Sequence, residues 1–134
     1  MKKAANAIDK ISATKEVDNW LDYRRVRVKK RKENEDSINE LIEAFEEGIL
    51  ILDPETRVIT QNLIWEVGTK KALTFKPLLT VGDSQRRLQS VKSTDGHAML
   101  AAYVAELTGE NSGIIGGMNT EDYGISRTIA GFFF

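Results

Sequence analysis

The spacing of apolar residues changes at Gly48, and this change limits the possible folds more than any other feature of the chain. Before it, an apolar stripe at helical spacing indicates an amphipathic helix. The stripe consists of Ile38, Leu41, Ile42 and Phe45. Ser37 and Glu40 have the spacing of a capping box, which predicts that the helix begins at this serine. Gly48 follows the stripe directly, so we predict that it ends the helix in a left-handed conformation.

The segment after this helix has the pattern of short strands. An apolar run at 49–52 leads to a turn at 53–56, where proline suits the fixed φ of the turn. Residues 57–67 and 72–77 are strand-like and are joined by a short link that contains glycine. A small meander is not stable alone in water and must pack on helices. The sequence therefore predicts an α+β fold, mainly helical, with a small antiparallel meander over about residues 49–76.

The helix and the meander together are expected to form the core. We predict that Leu41, Ile42 and Phe45 pack the helix on the meander. Within the meander, Trp65 and Phe75 are the large aromatic residues that we expect to meet them.

The second half of the chain returns to helical patterns. Capping residues predict three helix starts, at Thr80, at Thr94 or Asp95, and at Asn119 or Thr120. Asp83 lies three residues after the first of these and completes its cap. Gly109 is placed to end the second helix, and the glycine-rich segment 110–119 is predicted to be a connector.

The N-terminal region is predicted to be helical. It contains neither Gly nor Pro, and its apolar residues fall at helical spacing in one or two amphipathic segments. Thr14 is a candidate cap between two such helices. The alternative is a short strand in which Val26 and Val28 alternate. We divide the chain into a charged helical arm at 1–36 and a single α+β domain at 37–134.

Two blocks of opposite charge lie next to each other in the chain. Residues 24–32 hold seven cations, and residues 33–47 hold seven acids. The blocks can neutralise each other within one subunit, or they can pair head to tail between subunits and steer self-association. We expect a homo-oligomer. The cations assigned to self-association are Arg24, Arg25, Arg27, Lys29, Lys30 and Arg31.

Nucleic-acid binding is the alternative role for the basic block. The formal net charge is −1 and the isoelectric point is near 5.9, whereas nucleic-acid-binding domains are usually basic overall. The block itself lacks aromatic residues that would stack on bases, although Trp20 and Tyr23 lie just before it. The pattern therefore favours a charge contact within or between subunits.

No constellation in the sequence indicates an enzyme or a bound cofactor. Gly82, Asp83 and Ser84 resemble the nucleophile block of GDS-type esterases, but the other blocks of those enzymes are missing. A capped helix start explains the same residues. His97 is expected to be a half-buried polar residue on a helix face rather than a base or ligand. With one histidine and no cysteine, a transition-metal site is not expected either.

No apolar run approaches the roughly 18 residues that a membrane helix needs. The N-terminus is basic but lacks the apolar segment of a signal peptide. We therefore expect a soluble, cytoplasmic protein without a membrane partner.

From Leu41 onward the order of short sequence phrases resembles the tail assembly chaperones of long-tailed phages, the Mu-type and related family. The matching phrases are "EAFEEGILILD", "VITQNLIWEV", "LTFKPLLTVGDSQR", "AAYVAELTG" and "GMNTEDYGISRTIAGFFF". The resemblance covers roughly residues 41–134, and the order and spacing of the phrases carry it. The N-terminal region has no counterpart.

The resemblance implies a non-enzymatic role in the cytoplasm of the infected bacterial host. Proteins of this family hold the tail tape measure protein, and the tail tube protein, until the tube polymerises. The client is a long, partly apolar helical rod, for which the last helix offers the candidate surface. The residues assigned to partner binding are Tyr123, Ile125, Ile129, Phe132, Phe133 and Phe134. The alternative functions are a nucleic-acid-binding module that uses the basic block and a structural subunit of the virion.

Overall fold

The computed structural model describes residues 6–88 and 96–133. The helices are α1 (Lys10–Tyr23), α2 (Val28–Glu33), α3 (Glu35–Glu46), α4 (Val81–Leu88), α5 (Gly96–Thr108), α6 (Ser112–Gly116) and α7 (Thr120–Gly131). The strands are β1 (Leu50–Leu52), β2 (Ile59–Val67) and β3 (Lys70–Phe75). The predicted α+β class, mainly helical with a small antiparallel meander, is confirmed.

The three strands form one antiparallel sheet in the order β1-β2-β3. The register places Ile51 opposite Thr60, and Thr60 opposite Thr74. These residues are less buried than their neighbours, because side chains alternate between the two faces of a strand. The inner face carries Leu50, Leu52, Ile59, Gln61, Leu73 and Phe75, all of them buried. The sheet thus has one face on the core and one face toward solvent.

The helix α3 ends as predicted but begins earlier. Gly48 has φ of 75°, which confirms the left-handed stop. The capping box at Ser37 and Glu40 is wrong, because α2 leads through Asn34 directly into α3 and the backbone is already helical at Glu35. Acidic residues fill the first turn of α3, where the helix dipole favours negative charge.

The helix α1 begins at a side-chain cap. The Oδ1 atom of Asp9 accepts a hydrogen bond of 2.7 Å from the amide of Ser12. Thr14 lies inside the helix, where its hydroxyl donates to the carbonyl of Lys10 at 2.8 Å. The prediction that Thr14 caps a second helix is therefore wrong, and residues 10–23 form one continuous helix.

One hydrophobic core includes α1 together with the sheet and the later helices. The buried residues of α1 are Ala13, Val17, Trp20 and Leu21, and they belong to the same cluster as Phe45 and Phe75. The core therefore continues across residue 36, the predicted boundary between arm and domain. The predicted core residues Leu41, Ile42 and Phe45 are confirmed.

The strand proposed at Val26 and Val28 is wrong. Arg25 has φ of 56°, which turns the chain away from α1, and Val28 begins α2. Val28 therefore lies in a helix and cannot alternate with Val26 in a strand, although Arg27 between them is extended.

Local cap chemistry in the second half is confirmed at three places. The Thr80 hydroxyl accepts from the amide of Asp83, whose carboxylate accepts from the amide of Thr80. Gly109 has φ of 70°, and the Asn119 side chain accepts from the first turn of α7. The segment 110–119 connects α5 to α7 as predicted, and it contains the short helix α6, which the sequence did not predict. The helix starts proposed at Thr94 or Asp95 lie outside the described residues.

Candidate protein interaction surfaces

Two consecutive large apolar residues on β2 face solvent. Ile64 is 47% exposed and Trp65 is 57% exposed. We call these two side chains the β2 ridge. Other exposed apolar side chains in the described part of the chain lie elsewhere, and they are Ile11, Tyr23, Val28, Ile51, Leu78 and Val81. The prediction that Trp65 meets the core residues of α3 is therefore wrong.

A bulge in β2 explains why both residues of the ridge are exposed. Between the pairs Asn62 with Ala72 and Val67 with Lys70, residues 63–66 of β2 lie opposite a single residue of β3. A bulge of this kind leaves residues unpaired and bends the strand, so that the alternation of faces is lost.

The carboxylate of Asp122 holds the bulge in place. Oδ1 accepts from the amide of Ile64 and Oδ2 accepts from the amide of Trp65, each at 2.9 Å. In a regular strand consecutive amides point toward opposite edges, whereas here both converge on one side chain. Asp122 is fully buried and lies in the first turn of α7, where the helix dipole stabilises negative charge.

A second buried contact connects β2 to α7 beside this carboxylate. The side-chain Nε2 of Gln61 donates to the backbone carbonyl of Asp122 at 2.8 Å. Its Oε1 accepts from the Ser126 hydroxyl at 2.5 Å. All three residues are fully buried, and these hydrogen bonds satisfy polar groups that would be costly to leave unpaired. Buried hydrogen bonds to α7 therefore hold the part of β2 that carries the ridge.

A polar pair borders the ridge. Lys71 and Glu66 approach to 3.9 Å at the end of the β2–β3 hairpin, and both side chains are largely exposed. An apolar centre with a polar edge is the usual composition of a protein interface. An exposed tryptophan can also donate its indole N–H to a partner while its ring buries apolar surface.

The residues predicted for partner binding on α7 occupy different environments. Ile129 and Phe132 are buried in the core of the chain and present little surface. Tyr123, Ile125 and Phe133 are partly buried and pack against that core. Burial raises the pKa of the Tyr123 phenol, and the charge of nearby Arg127 offsets part of that rise. Phe134 lies outside the described residues. Partner binding by this set stays a prediction.

Arg24, assigned from the sequence to self-association, is part of the fold itself. Its guanidinium donates to the carbonyl of Pro77 at 2.9 Å and to the carbonyl of Phe132 at 3.1 Å. It also lies over the ring of Phe133, 3.3 Å from the centroid. Burial lowers the pKa of this guanidinium to about 10, so it stays charged at neutral pH. Arg24 thus connects α1 to the end of α7.

The other five predicted cations divide into two groups. Arg31 pairs with Asp22 at 2.9 Å, and burial followed by the charge of Arg24 lowers the pKa of Lys30. Arg25, Arg27 and Lys29 are exposed; Lys29 forms one contact of 4.0 Å with Glu33. Both charged blocks lie within the described residues. Apart from the contacts of Lys30, the pair between Lys29 and Glu33 is the one ion pair that joins the basic block at 24–32 to the acidic block at 33–47. Self-association through these residues stays a prediction.

Sequence reasoning missed the ridge and its support for different reasons. The run "LIW" at 63–65 holds three consecutive large apolar residues, and a strand with one buried face cannot bury all of them. That signal was available. Asp122 gave no local signal, because its partners lie 57 and 58 residues away in the chain.

The described residues show no arrangement typical of a metal site. No group of three or more His, Asp or Glu side chains within them is placed to hold a metal ion. His97 is exposed rather than half-buried, which corrects the prediction for this residue.

Among the helices that the structure describes, none is long and apolar enough to cross a bilayer.

Comparisons of the chain with protein-family models, with curated proteins and with solved structures found no match.

Proposed function

We propose that this protein is a tail assembly chaperone of a long-tailed phage. It binds the tail tape measure protein, and the tail tube protein, in the cytoplasm of the infected host until the tube polymerises. The resemblance over roughly residues 41–134 supports this proposal. The observation that carries it is the exposed β2 ridge of Ile64 and Trp65 on its buried polar base.

The ridge has the properties that a helical apolar client requires. Aromatic residues that become buried at the centre of an interface dominate its binding energy. A rigid anchor loses little conformational freedom on binding, and the two hydrogen bonds that Asp122 accepts from the amides of Ile64 and Trp65 hold this part of β2 in place. A tape measure protein exposes apolar helix faces before assembly, and such a face can pack on the ridge.

In this proposal α7 supports the binding surface, whereas the resemblance implied that α7 is itself the surface that binds the client. Ile129 and Phe132 support the core, and Asp122 and Ser126 hold the ridge. The helix therefore serves client binding mainly through the strand that it positions.

Co-expression with the tape measure protein and with the tail tube protein of the same phage tests the proposal. The wild-type chain should keep at least one client in the soluble fraction and should co-purify with it. Trp65→Ser with Ile64→Ser should lose this effect. Ile11→Ser is the matched control, because Ile11 is 79% exposed on a different element. If neither client gains solubility from the wild-type chain, the proposal is wrong.

A nucleic-acid-binding module is the second candidate. Arg25, Arg27 and Lys32 are exposed, and none of these three forms an ion pair with another described residue. Tyr23 lies beside them, with Arg57 5.7 Å from its ring centroid. Phosphate contacts by these cations would make binding fall steeply with salt concentration. Titration of labelled DNA and RNA at several salt concentrations distinguishes this candidate from the chaperone.

A further inference from the structure

A groove of about 350 Å³ runs between α3 and α7, on a different side of α7 from Asp122. Its floor is apolar and includes Ala44, Ile49 and Ile125. Its rim carries four exposed carboxylates and one exposed guanidinium, from Glu40, Glu43, Glu47, Glu121 and Arg127. A groove with an apolar floor and an acidic rim fits a basic segment that also carries an exposed apolar side chain.

The same chain presents a segment with these properties. Val28 begins α2 and is 67% exposed. The exposed cations around it are Arg25, Arg27, Lys29 and Lys32. The segment therefore combines an apolar side chain with surrounding positive charge, and it complements the groove in both respects.

The α2 segment of one subunit is not placed to occupy the groove of that same subunit. It is joined to the N-terminal end of α3 through Asn34, whereas Glu43 and Glu47 lie at the C-terminal end of α3. A rise of 1.5 Å per residue separates the two ends by roughly 15 Å. A rigid helix keeps them apart, so the α2 segment does not reach the end of its own groove at Glu43 and Glu47.

We propose that the groove between α3 and α7 binds the α2 segment of a second copy of this chain. Val28 would rest on the apolar floor, and the cations of α2 would face the carboxylates of the rim. The contact joins two different surfaces, so it closes into a ring or symmetric pair, or continues as an open chain of subunits. This inference goes beyond the proposed function and does not depend on it.

Charge reversal on each side of the contact tests the proposal by sedimentation equilibrium. The first variant, Arg27→Glu with Lys29→Glu, reverses α2, and the second, Glu43→Lys with Glu47→Lys, reverses the groove. Each alone should raise the dissociation constant at least about tenfold. An equimolar mixture of the two variants should assemble again, because each α2 then meets a groove of opposite charge on the other variant: the acidic α2 meets the basic groove, and the unchanged basic α2 meets the unchanged acidic groove.

Lys15→Glu with Lys71→Glu is the matched control, because it changes the net charge as much as the α2 variant does and lies outside the contact. It should leave self-association unchanged. Circular dichroism verifies that each variant is folded. A wild-type chain that stays monomeric at millimolar concentration would overturn the proposal. Self-association that survives both reversals, or variants that do not recover on mixing, would do the same.

Discussion

At the scale of single residues, Asp122 and Arg24 connect parts of the chain that are far apart in sequence. Asp122 joins α7 to the bulge of β2, and Arg24 joins α1 to the end of α7. Each makes charge-assisted hydrogen bonds to backbone groups, which are stronger than neutral ones. Both side chains therefore stabilise the fold through these hydrogen bonds.

Replacement of Asp122 should destabilise the fold and loosen the ridge. Asp122→Ala leaves two backbone amides without an acceptor, so the free energy of unfolding should fall by about 2–4 kcal/mol. Asp122→Asn keeps one acceptor oxygen and should cost less. Urea denaturation measures the stability, and amide hydrogen exchange at Ile64 and Trp65 should accelerate. Unchanged exchange at these two amides would show that Asp122 does not hold the bulge.

Replacement of Arg24 by lysine should lower the stability of the fold. Lysine keeps the charge but cannot donate in a fork to the carbonyls of Pro77 and Phe132 while it lies over Phe133. We expect Arg24→Lys to lower the free energy of unfolding by about 1–3 kcal/mol. Arg27→Lys, at an exposed position, should change it by less than about 0.5 kcal/mol. Equal effects of the two substitutions would contradict the structural role.

At the scale of elements, features that depend on neighbours in sequence were predictable, and features that depend on packing were not. The stop at Gly48 and the cap at Asn119 follow from local backbone chemistry, and both are confirmed. The cap at Ser37 failed because the preceding helix α2 already sets the backbone of α3. The prediction that Trp65 is buried was wrong: the run at 63–65 indicates that some of its residues must be exposed, but which ones depends on the bulge and on Asp122, which lies far along the chain.

Substitutions of Phe45 and Trp65 should differ in their effect on stability, because Phe45 lies in the core and Trp65 lies on the surface of the sheet. Phe45 on α3 is buried against the sheet, so Phe45→Ala should cost about 3–5 kcal/mol. Trp65→Ala removes a larger side chain from an exposed position and should cost less than about 1 kcal/mol. Thermal or urea denaturation compares them. A loss at Trp65 as large as that at Phe45 would place Trp65 in the core.

The turn between β1 and β2 should contribute to acid sensitivity. The amide of Thr56, and then that of Glu55, donate to Asp53 and lower the pKa of this carboxyl below its ordinary 3.8. Because the folded-state pKa is lowered, this stabilisation is present above about pH 4 and is lost as the pH falls through the folded-state pKa. Asp53→Asn keeps an acceptor oxygen without the titration, so it should make the loss of stability between pH 4 and pH 2 less steep. An identical slope in the variant would contradict this assignment.

At the scale of the whole molecule, the chain presents two distinct surfaces on one core. The β2 ridge is apolar and rigid, and the groove between α3 and α7 is bordered by carboxylates. The helix α7 contributes to both, because Asp122 supports the ridge while Glu121 and Ile125 line the groove. The proposed client contact and the proposed contact between subunits therefore use different surfaces and do not exclude each other.

We propose that the tape measure protein binds at Trp65, and the fluorescence of this tryptophan reports whether it does. The chain has two tryptophans, and Trp20 is buried, so Trp20→Phe leaves Trp65 as the only emitter. Titration with the tape measure protein should shift the emission of Trp65 to shorter wavelength and protect it from iodide quenching, because binding removes the indole from water. If the client co-sediments with the chain while the emission and quenching of Trp65 stay unchanged, the binding site lies elsewhere and the claim is wrong.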